Sequence, residues 1–104
     1  MLENILGNKI NVKILKLLTM SPKKTLGLSE ISRLCNTSKS RTSECLKNLV
    51  DIGILSSVRV GRGYEYSLNK SNYYAKLIIE LFKGERKLLD KVSKDYVNRV
   101  GKIN

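Results

Sequence analysis

The sequence predicts one mainly α-helical domain with a small β-hairpin, an α+β fold, and a long C-terminal helix. Apolar residues recur at helical spacing along most of the chain, and two short alternating stretches interrupt that pattern between residues 54 and 68. A glycine-bounded connection joins the two stretches. We divide the 104-residue chain into a body (residues 1–70), the long helix (71–100) and a frayed tail (101–104).

The N-terminal stretch, residues 2–20, is predicted to form one amphipathic helix. Its apolar positions are Ile5, Leu6, Ile10, Ile14, Leu17 and Leu18. Pro22 ends the pattern, because proline cannot continue the hydrogen-bond ladder of a helix. The connector that follows, residues 23–27, is expected to contain a short piece of strand.

A second, short helix is predicted over residues 28–35, with Ile31, Leu34 and Cys35 facing the core. Asn36 interrupts it. Asparagine is one of the few residues that tolerate a left-handed backbone conformation, which a tight turn between two helices needs. The sequence therefore predicts a second helix, a tight turn and a third helix in close succession.

The third helix is predicted to begin after Ser38, a good N-cap, and to run to about residue 52. Steps of 100° per residue bring its apolar side chains onto one face. That face consists of Thr42, Cys45, Leu46 and Leu49. Gly53 is expected to end the helix as a left-handed cap residue.

A β-hairpin is predicted next, because residues 54–60 and 64–68 alternate and are rich in β-branched and aromatic side chains. The segment Gly61-Arg62-Gly63 separates them, and such a short glycine-bounded connection is typical of hairpins.

From Ser71 onward the pattern is helical again. Its apolar stripe consists of Tyr74, Ile78, Leu81, Leu88, Val92 and Tyr96. Roughly 30 residues of helix would be about 45 Å long, which exceeds the size of the small body. The far half then lacks an intramolecular partner, so we expect a two-fold helix–helix interface in a homodimer. Gly84 is the position at which a bend is expected.

The charge balance is strongly positive. Twenty Lys and Arg against 9 Asp and Glu give a net charge of +11, with an isoelectric point near 9.9. The electrostatic field of so large a positive charge attracts polyanions, which favours nucleic acid as the partner. An anionic membrane surface is disfavoured, because no helix pairs a basic face with a Trp- or Phe-rich one. With no signal peptide and no membrane-spanning stretch, the expected location is the cytoplasm.

Catalysis is not expected. The chain has no His, no paired carboxylates and no phosphate-cradling glycine loop, so we predict no enzyme activity, no cofactor and no metal site. Cys35 and Cys45 are the two cysteines, and both face inward on the helical wheel. Small buried apolar residues are the simplest interpretation. A redox-responsive pair is the alternative, and it requires the two Cα atoms to lie within about 7 Å.

The spacing of the second and third helices is that of a helix-turn-helix. The segment from Ser29 to Leu49, followed by Gly53-Ile54-Leu55, resembles the winged helix-turn-helix core of ArsR- and MarR-type transcriptional regulators, especially small archaeal ones. The resemblance covers about residues 5–68, together with a similar C-terminal dimerisation helix. It departs from the metal sensors of the ArsR type, because Cys35 stands without a neighbouring cysteine and there is no His.

The resemblance implies a DNA-contacting surface on the third helix and on the hairpin, which would be the wing. The implied residues are Ser38, Lys39, Ser40, Arg41, Ser43, Glu44, Lys47, Arg59 and Arg62. The chemistry of these side chains agrees, because Lys, Arg and Ser bind phosphates and guanine edges. Glu44 would accept a hydrogen bond from a cytosine amino group or hold Arg41 one turn earlier.

The function predicted from these observations is a homodimeric regulator of transcription that binds double-stranded DNA. Two alternatives stay open. One is an architectural, chromatin-type protein with little sequence preference, which would use the same basic surfaces. The other is a winged-helix module that binds a protein partner. RNA is a lesser option, because the sequence shows no aromatic platform for stacking bases.

Overall fold

Helices and a small antiparallel sheet form the fold in the part of the chain that the structure, a computed structural model, describes. That part is the backbone of residues 2–103 and the side chains of residues 2–88 and 91. The elements are α1 (Leu2–Leu6), α2 (Lys9–Met20), β1 (Leu26–Gly27), α3 (Leu28–Leu34), α4 (Lys39–Asp51), β2 (Leu55–Val60), β3 (Gly63–Leu68) and α5 (Tyr73–Ile103). The predicted α+β class is confirmed.

The N-terminal helix is split in two, so the prediction of one helix over residues 2–20 was wrong. Asn8 has an extended backbone, and its side-chain oxygen accepts hydrogen bonds from the N–H groups of Ile10 (2.9 Å) and Asn11 (3.1 Å). Asparagine thereby competes with the helical ladder and caps a new helix. The apolar spacing hid the break, because Ile5 and Ile14 are both buried in the same core.

The turn between α3 and α4 is built from local hydrogen bonds. Asn36 adopts the expected left-handed conformation, with φ of 53°. The ammonium group of Lys13 in α2 donates a hydrogen bond to the carbonyl oxygen of Cys35 at 3.4 Å, and this bond links the turn to α2. The Ser38 hydroxyl accepts from the backbone N–H of Arg41 at 3.2 Å, as an N-cap does.

The burial of α4 follows the prediction, and that of α3 does so in part. Ile31 and Cys35 are buried, but Leu34 is 49% exposed, so its predicted inward position was wrong. Adjacent helical residues point about 100° apart, and the packing of Cys35 therefore turns Leu34 toward solvent. At the end of α4, Gly53 has φ of 84° and closes the helix as expected.

The three strands have the order β1-β3-β2, and both pairings are antiparallel. Leu26 of β1 pairs with Tyr66, which adds the predicted piece of strand to the hairpin. Val60 pairs with Gly63, so the turn contains only Gly61 and Arg62. Gly61 has φ of 60°, a value that suits the tight two-residue turns of hairpins.

The first turns of α5 pack on the body through Ala75, Ile78 and Phe82, each at most 4% exposed. Ile78 therefore has no free surface for a partner helix, although the sequence placed it in the dimer stripe. The helix runs through Gly84 without interruption and continues to Ile103, past the predicted end near residue 100. The side chains of Val92 and Tyr96, two other stripe residues, lie outside the described residues.

The helix gives the molecule an elongated shape, with a longest dimension of 58 Å against 27 and 23 Å across it. Among the helices of the described part, none combines the length and the apolar character that a bilayer crossing requires.

Two leucines on neighbouring helices test this core. Leu46 is fully buried and Leu34 is half-exposed. We expect Leu46→Ala to lower the free energy of unfolding by about 2–5 kcal/mol, because it leaves a cavity in the core. Leu34→Ala removes the same atoms from an exposed position and should cost less than about 1 kcal/mol. Urea denaturation followed by circular dichroism measures both, and equal losses would contradict the core described here.

Candidate nucleic-acid interface

Helix α4 has one buried face and one exposed face. Its buried side chains are Thr42, Cys45, Leu46 and Leu49. Thr42 is polar but fully buried, and its hydroxyl donates to the carbonyl oxygen of Ser38 at 2.7 Å. The predicted contact residues at and along α4 are all exposed, and they are Ser38, Lys39, Ser40, Arg41, Ser43, Glu44 and Lys47. The structure therefore brings these seven residues together on one helix and its cap.

The positive charges on this face form no ion pair with a carboxylate among the described residues. The ion pairs of the described residues lie elsewhere, between Lys16 and Glu85 (3.1 Å) and between Lys23 and Glu30 (2.8 Å). Within the described part of the chain, neither Arg41 nor Lys47 has a carboxylate partner. Glu44 lies one turn from Arg41 but forms no ion pair with it. With respect to the described part of the chain, the face thus presents cations without carboxylate partners to solvent.

A shallow cleft runs beside the turn from α3 to the start of α4. Its lining residues are Ser29, Ser32, Arg33, Asn36, Thr37, Ser38 and Lys39. Arg33 is exposed there, and the sequence analysis missed it. The sequence pattern could have indicated Arg33 as a candidate contact residue. A basic residue in the last turn of a helix, just before a tight turn, lies close to the N-terminus of the next helix. Such N-termini attract phosphate groups.

The hairpin carries a second group of cations. Arg62 occupies the two-residue turn at its tip, and Arg59 of β2 is exposed near that tip. Arg59 pairs across the ladder with Tyr64, which is 49% exposed. Directly opposed residues share one face of an antiparallel pair, so Tyr64 lies beside Arg59. Sequence analysis missed Tyr64, because alternation alone does not give the register that sets this pair.

The two cysteines are free and buried, 5% exposed for Cys35 and 7% for Cys45. Burial raises the pKa of both thiols. The positive charge of Lys13 opposes this rise in pKa at Cys35, and the negative charge of Glu44 adds to it at Cys45. Both belong to the hydrophobic core. Among the described residues, no cluster of three or more His, Cys, Asp or Glu side chains is placed to hold a metal ion.

Comparison with known families identifies the helix-turn-helix. Residues 11–59, which run from the third residue of α2 to the fifth residue of β2, match the family model of the IclR helix-turn-helix domain. The remaining strand completes a hairpin at the position of a wing. This chain is a winged helix-turn-helix protein of the kind found in transcriptional regulators. No curated protein sequence matches it.

Solved structures share this winged helix-turn-helix fold over most of the chain. The antimony-specific transcriptional repressor AntR is 18% identical with a TM-score of 0.70, and the match covers 89% of this chain and 78% of AntR. A predicted DNA-binding transcriptional regulator from E. coli is 26% identical with a TM-score of 0.65, covering 80% and 83% of the two chains.

A third similar structure is a homodimeric winged helix-turn-helix DNA-binding domain from Mycobacterium bovis, a possible ArsR-family transcriptional regulator. It is 19% identical with a TM-score of 0.60, and the match covers 92% of this chain and 78% of that one. The coverage includes much of α5, so the likeness extends beyond the helix-turn-helix core.

The buried thiols lead to a prediction about reactivity. A raised pKa means that each thiol keeps its proton to higher pH, so the thiolate fraction at pH 8 is smaller than for a free cysteine. We expect slow labelling by 5,5′-dithiobis(2-nitrobenzoate) in the folded protein, acceleration toward higher pH, and rapid labelling in urea. The single variants Cys35→Ser and Cys45→Ser assign each rate. Fast formation of an intramolecular disulfide with diamide would instead support the redox pair.

Proposed function

We propose that this protein regulates transcription by binding double-stranded DNA as a homodimer. In each subunit α4 would enter the major groove of one half-site, and the hairpin would lie on the flanking backbone. The observation that carries the proposal is the exposed face of α4, where Lys39, Arg41 and Lys47 lack carboxylate partners among the described residues.

The geometry of α4 supports the groove assignment. The major groove is about 12 Å wide and admits one α-helix. The buried face holds α4 against the body, so its polar face is free to meet base edges. Arg41 is the side chain best suited to a guanine edge, and Glu44 suits a cytosine amino group. Lys39 and Arg33, near the helix N-terminus, are suited to phosphates instead.

The wing supplies the second contact in this proposal. Arg62 lies between Gly61 and Gly63, which have no side chains to keep a phosphate away from the backbone. Arg59 and Tyr64 add a charge and a hydroxyl on one face of the hairpin near its tip. These contacts would position the domain on the duplex and contribute little to sequence discrimination.

Exposed leucines on α5 support the homodimer. Leu77, Leu81 and Leu88 are 41%, 52% and 62% exposed. At 100° per residue they fall within about 40° of one another on the helix, on a different side from Ala75, Ile78 and Phe82. Leu77 was absent from the predicted stripe, although it lies one turn before Leu81. A second α5 packed on this strip would cover it, and the M. bovis relative is homodimeric.

An architectural role is the second candidate, and the charge of α5 favours it. Exposed basic side chains continue along the helix beyond its contact with the body, and they include Arg86, Lys87 and Lys91. A duplex lying along them would be held by its phosphates without regard to sequence.

DNA titration tests the proposal. We expect the protein to bind DNA from upstream of its own gene at least about a hundredfold more tightly than a random duplex of equal length. If the dimer neutralises six to eight phosphates, log K should fall with log salt with a slope of about −5 to −7. Equal affinity for both duplexes would favour the architectural role. If the protein binds neither duplex at low salt, both DNA-binding roles are overturned, and a module that binds a protein partner is the remaining function.

Variants separate base contacts from phosphate contacts. Arg41→Ala should weaken operator binding by about 5–150-fold and reduce discrimination against the random duplex. Arg62→Ala should weaken binding to both duplexes alike and reduce the salt slope by about one for each subunit. Lys76→Ala, an exposed charge on α5, is the matched control and should change operator affinity less than twofold. An Arg41→Ala variant with unchanged discrimination would contradict the groove assignment.

The dimer is tested by sedimentation velocity. We expect the wild-type protein to sediment at twice the 11.8 kDa chain mass. The double variant Leu81→Glu/Leu88→Glu should dissociate at least about a hundredfold more readily, because it buries unpaired charges in the interface. Lys76→Glu places an acidic side chain on another side of the same helix and should leave the dimer intact. A monomeric wild-type protein would contradict the proposed interface.

A further inference from the structure

A cleft lies at the base of the hairpin, away from the residues assigned to DNA. It has a volume of about 510 Å³, within the range typical of small-molecule sites. Four parts of the fold meet there: the end of α2, the connector before β1, the lower end of the hairpin with the residues after it, and the second and third turns of α5.

The charged residues of the cleft are all lysines. Lys23, Lys24, Lys70 and Lys83 line it, and none of the described lining residues is acidic. Lys23 is paired with Glu30 at 2.8 Å. The other three lysines make no ion pair within the described part of the chain. A cleft lined by charges of one sign concentrates the field and attracts a ligand of the opposite sign.

The remaining lining residues combine apolar side chains with hydroxyl groups. Leu18, Leu68 and Ile79 supply apolar surface. Ser56 and Ser67 form a pair across the β2–β3 ladder, and neither hydroxyl has a hydrogen-bond partner among the described residues. A bare inorganic anion would leave the apolar surface unused. The lining therefore matches an organic anion with an apolar body and a carboxylate, sulfonate or phosphate group.

The cleft is separate from the proposed DNA surface. No residue of α4 lines it, and neither do Arg59 and Arg62 of the wing. The Ser56–Ser67 pair lies four ladder positions from the Val60–Gly63 pair at the tip, a distance of about 13 Å along the strand. Phosphates held by α4 and the wing tip would therefore not account for these lysines.

We propose that this cleft binds a small amphipathic organic anion, with Lys24, Lys70 and Lys83 holding its charged group and Leu18, Leu68 and Ile79 contacting its apolar body. The proposal does not depend on DNA binding. It is tested on the full chain without DNA, so its failure and that of the regulator proposal are distinguishable.

The probe is 8-anilinonaphthalene-1-sulfonate, a fluorescent sulfonate with an aromatic body, titrated at 150 mM salt to suppress diffuse electrostatic binding. We expect saturable binding at one site per chain. Octanoate should displace the probe, whereas octylammonium, with the same alkyl length and opposite charge, should not. Displacement by inorganic phosphate as strong as that by octanoate, or equal displacement by octylammonium, would overturn the proposal.

Charge-matched variants locate the site. Lys70→Gln/Lys83→Gln should weaken probe binding at least tenfold. Lys76→Gln/Lys87→Gln removes the same charge from exposed positions that do not line the cleft and should change affinity less than twofold. Circular dichroism and thermal melting verify that both variants are folded. Equal weakening in the two variants, or none in the first, would overturn the proposal.

Discussion

The burial of one face of α4 is the constraint on which the rest of the structure depends. Leu46 and Leu49 are at most 1% exposed, and Thr42 joins them because its hydroxyl is satisfied by the carbonyl oxygen of Ser38. A helix held by one face must present the other to solvent. In α4 that other face is polar and carries cations with no carboxylate partner among the described residues, so the packing of the core also defines the surface proposed to meet DNA.

Local capping interactions set the direction of α4. Asn36 takes a left-handed conformation, Ser38 caps the helix, and Lys13 ties the turn to α2. Each contributes modestly, about 1 kcal/mol for an N-cap, but together they fix the angle between α3 and α4. The wing is anchored in the same core through Leu55 and Leu26. Hence the two surfaces proposed for DNA are held by one framework, and no long loop separates them.

Helix α5 packs on the body with its first turns and extends beyond it. One side packs on the core through Ala75, Ile78 and Phe82. The ammonium nitrogen of Lys16 in α2 lies 3.1 Å from a carboxylate oxygen of Glu85 and 5.5 Å from the centroid of the Phe82 ring. An exposed ion pair of this kind contributes little by itself, so the apolar contacts carry the attachment. Another side presents the exposed leucines, and part of the remaining surface forms one wall of the lysine-lined cleft. A single helix thus takes part in the core, the proposed dimer and the proposed ligand site.

Local periodicity and turn chemistry encode the fold class, the helix-turn-helix spacing, the left-handed Asn36 and Gly53, and the inward face of α4. All of these could therefore be predicted from the order of the residues alone. The exposed residues of α4, which we propose to contact DNA, could be predicted for the same reason, since they are what the buried face leaves outside. The break at Asn8 is local as well, because its side chain caps N–H groups two and three residues later, but the continuous apolar spacing concealed it. Contacts between elements decided the rest, since the packing of Cys35 exposed Leu34 and the body buried Ile78. Contacts between residues far apart in the chain decide which side chains lie beside Arg33 and Tyr64. They also bring Lys24, Lys70 and Lys83 together in one cleft. Helical and strand periodicity do not record such contacts, because they specify only the direction of a side chain within its own element.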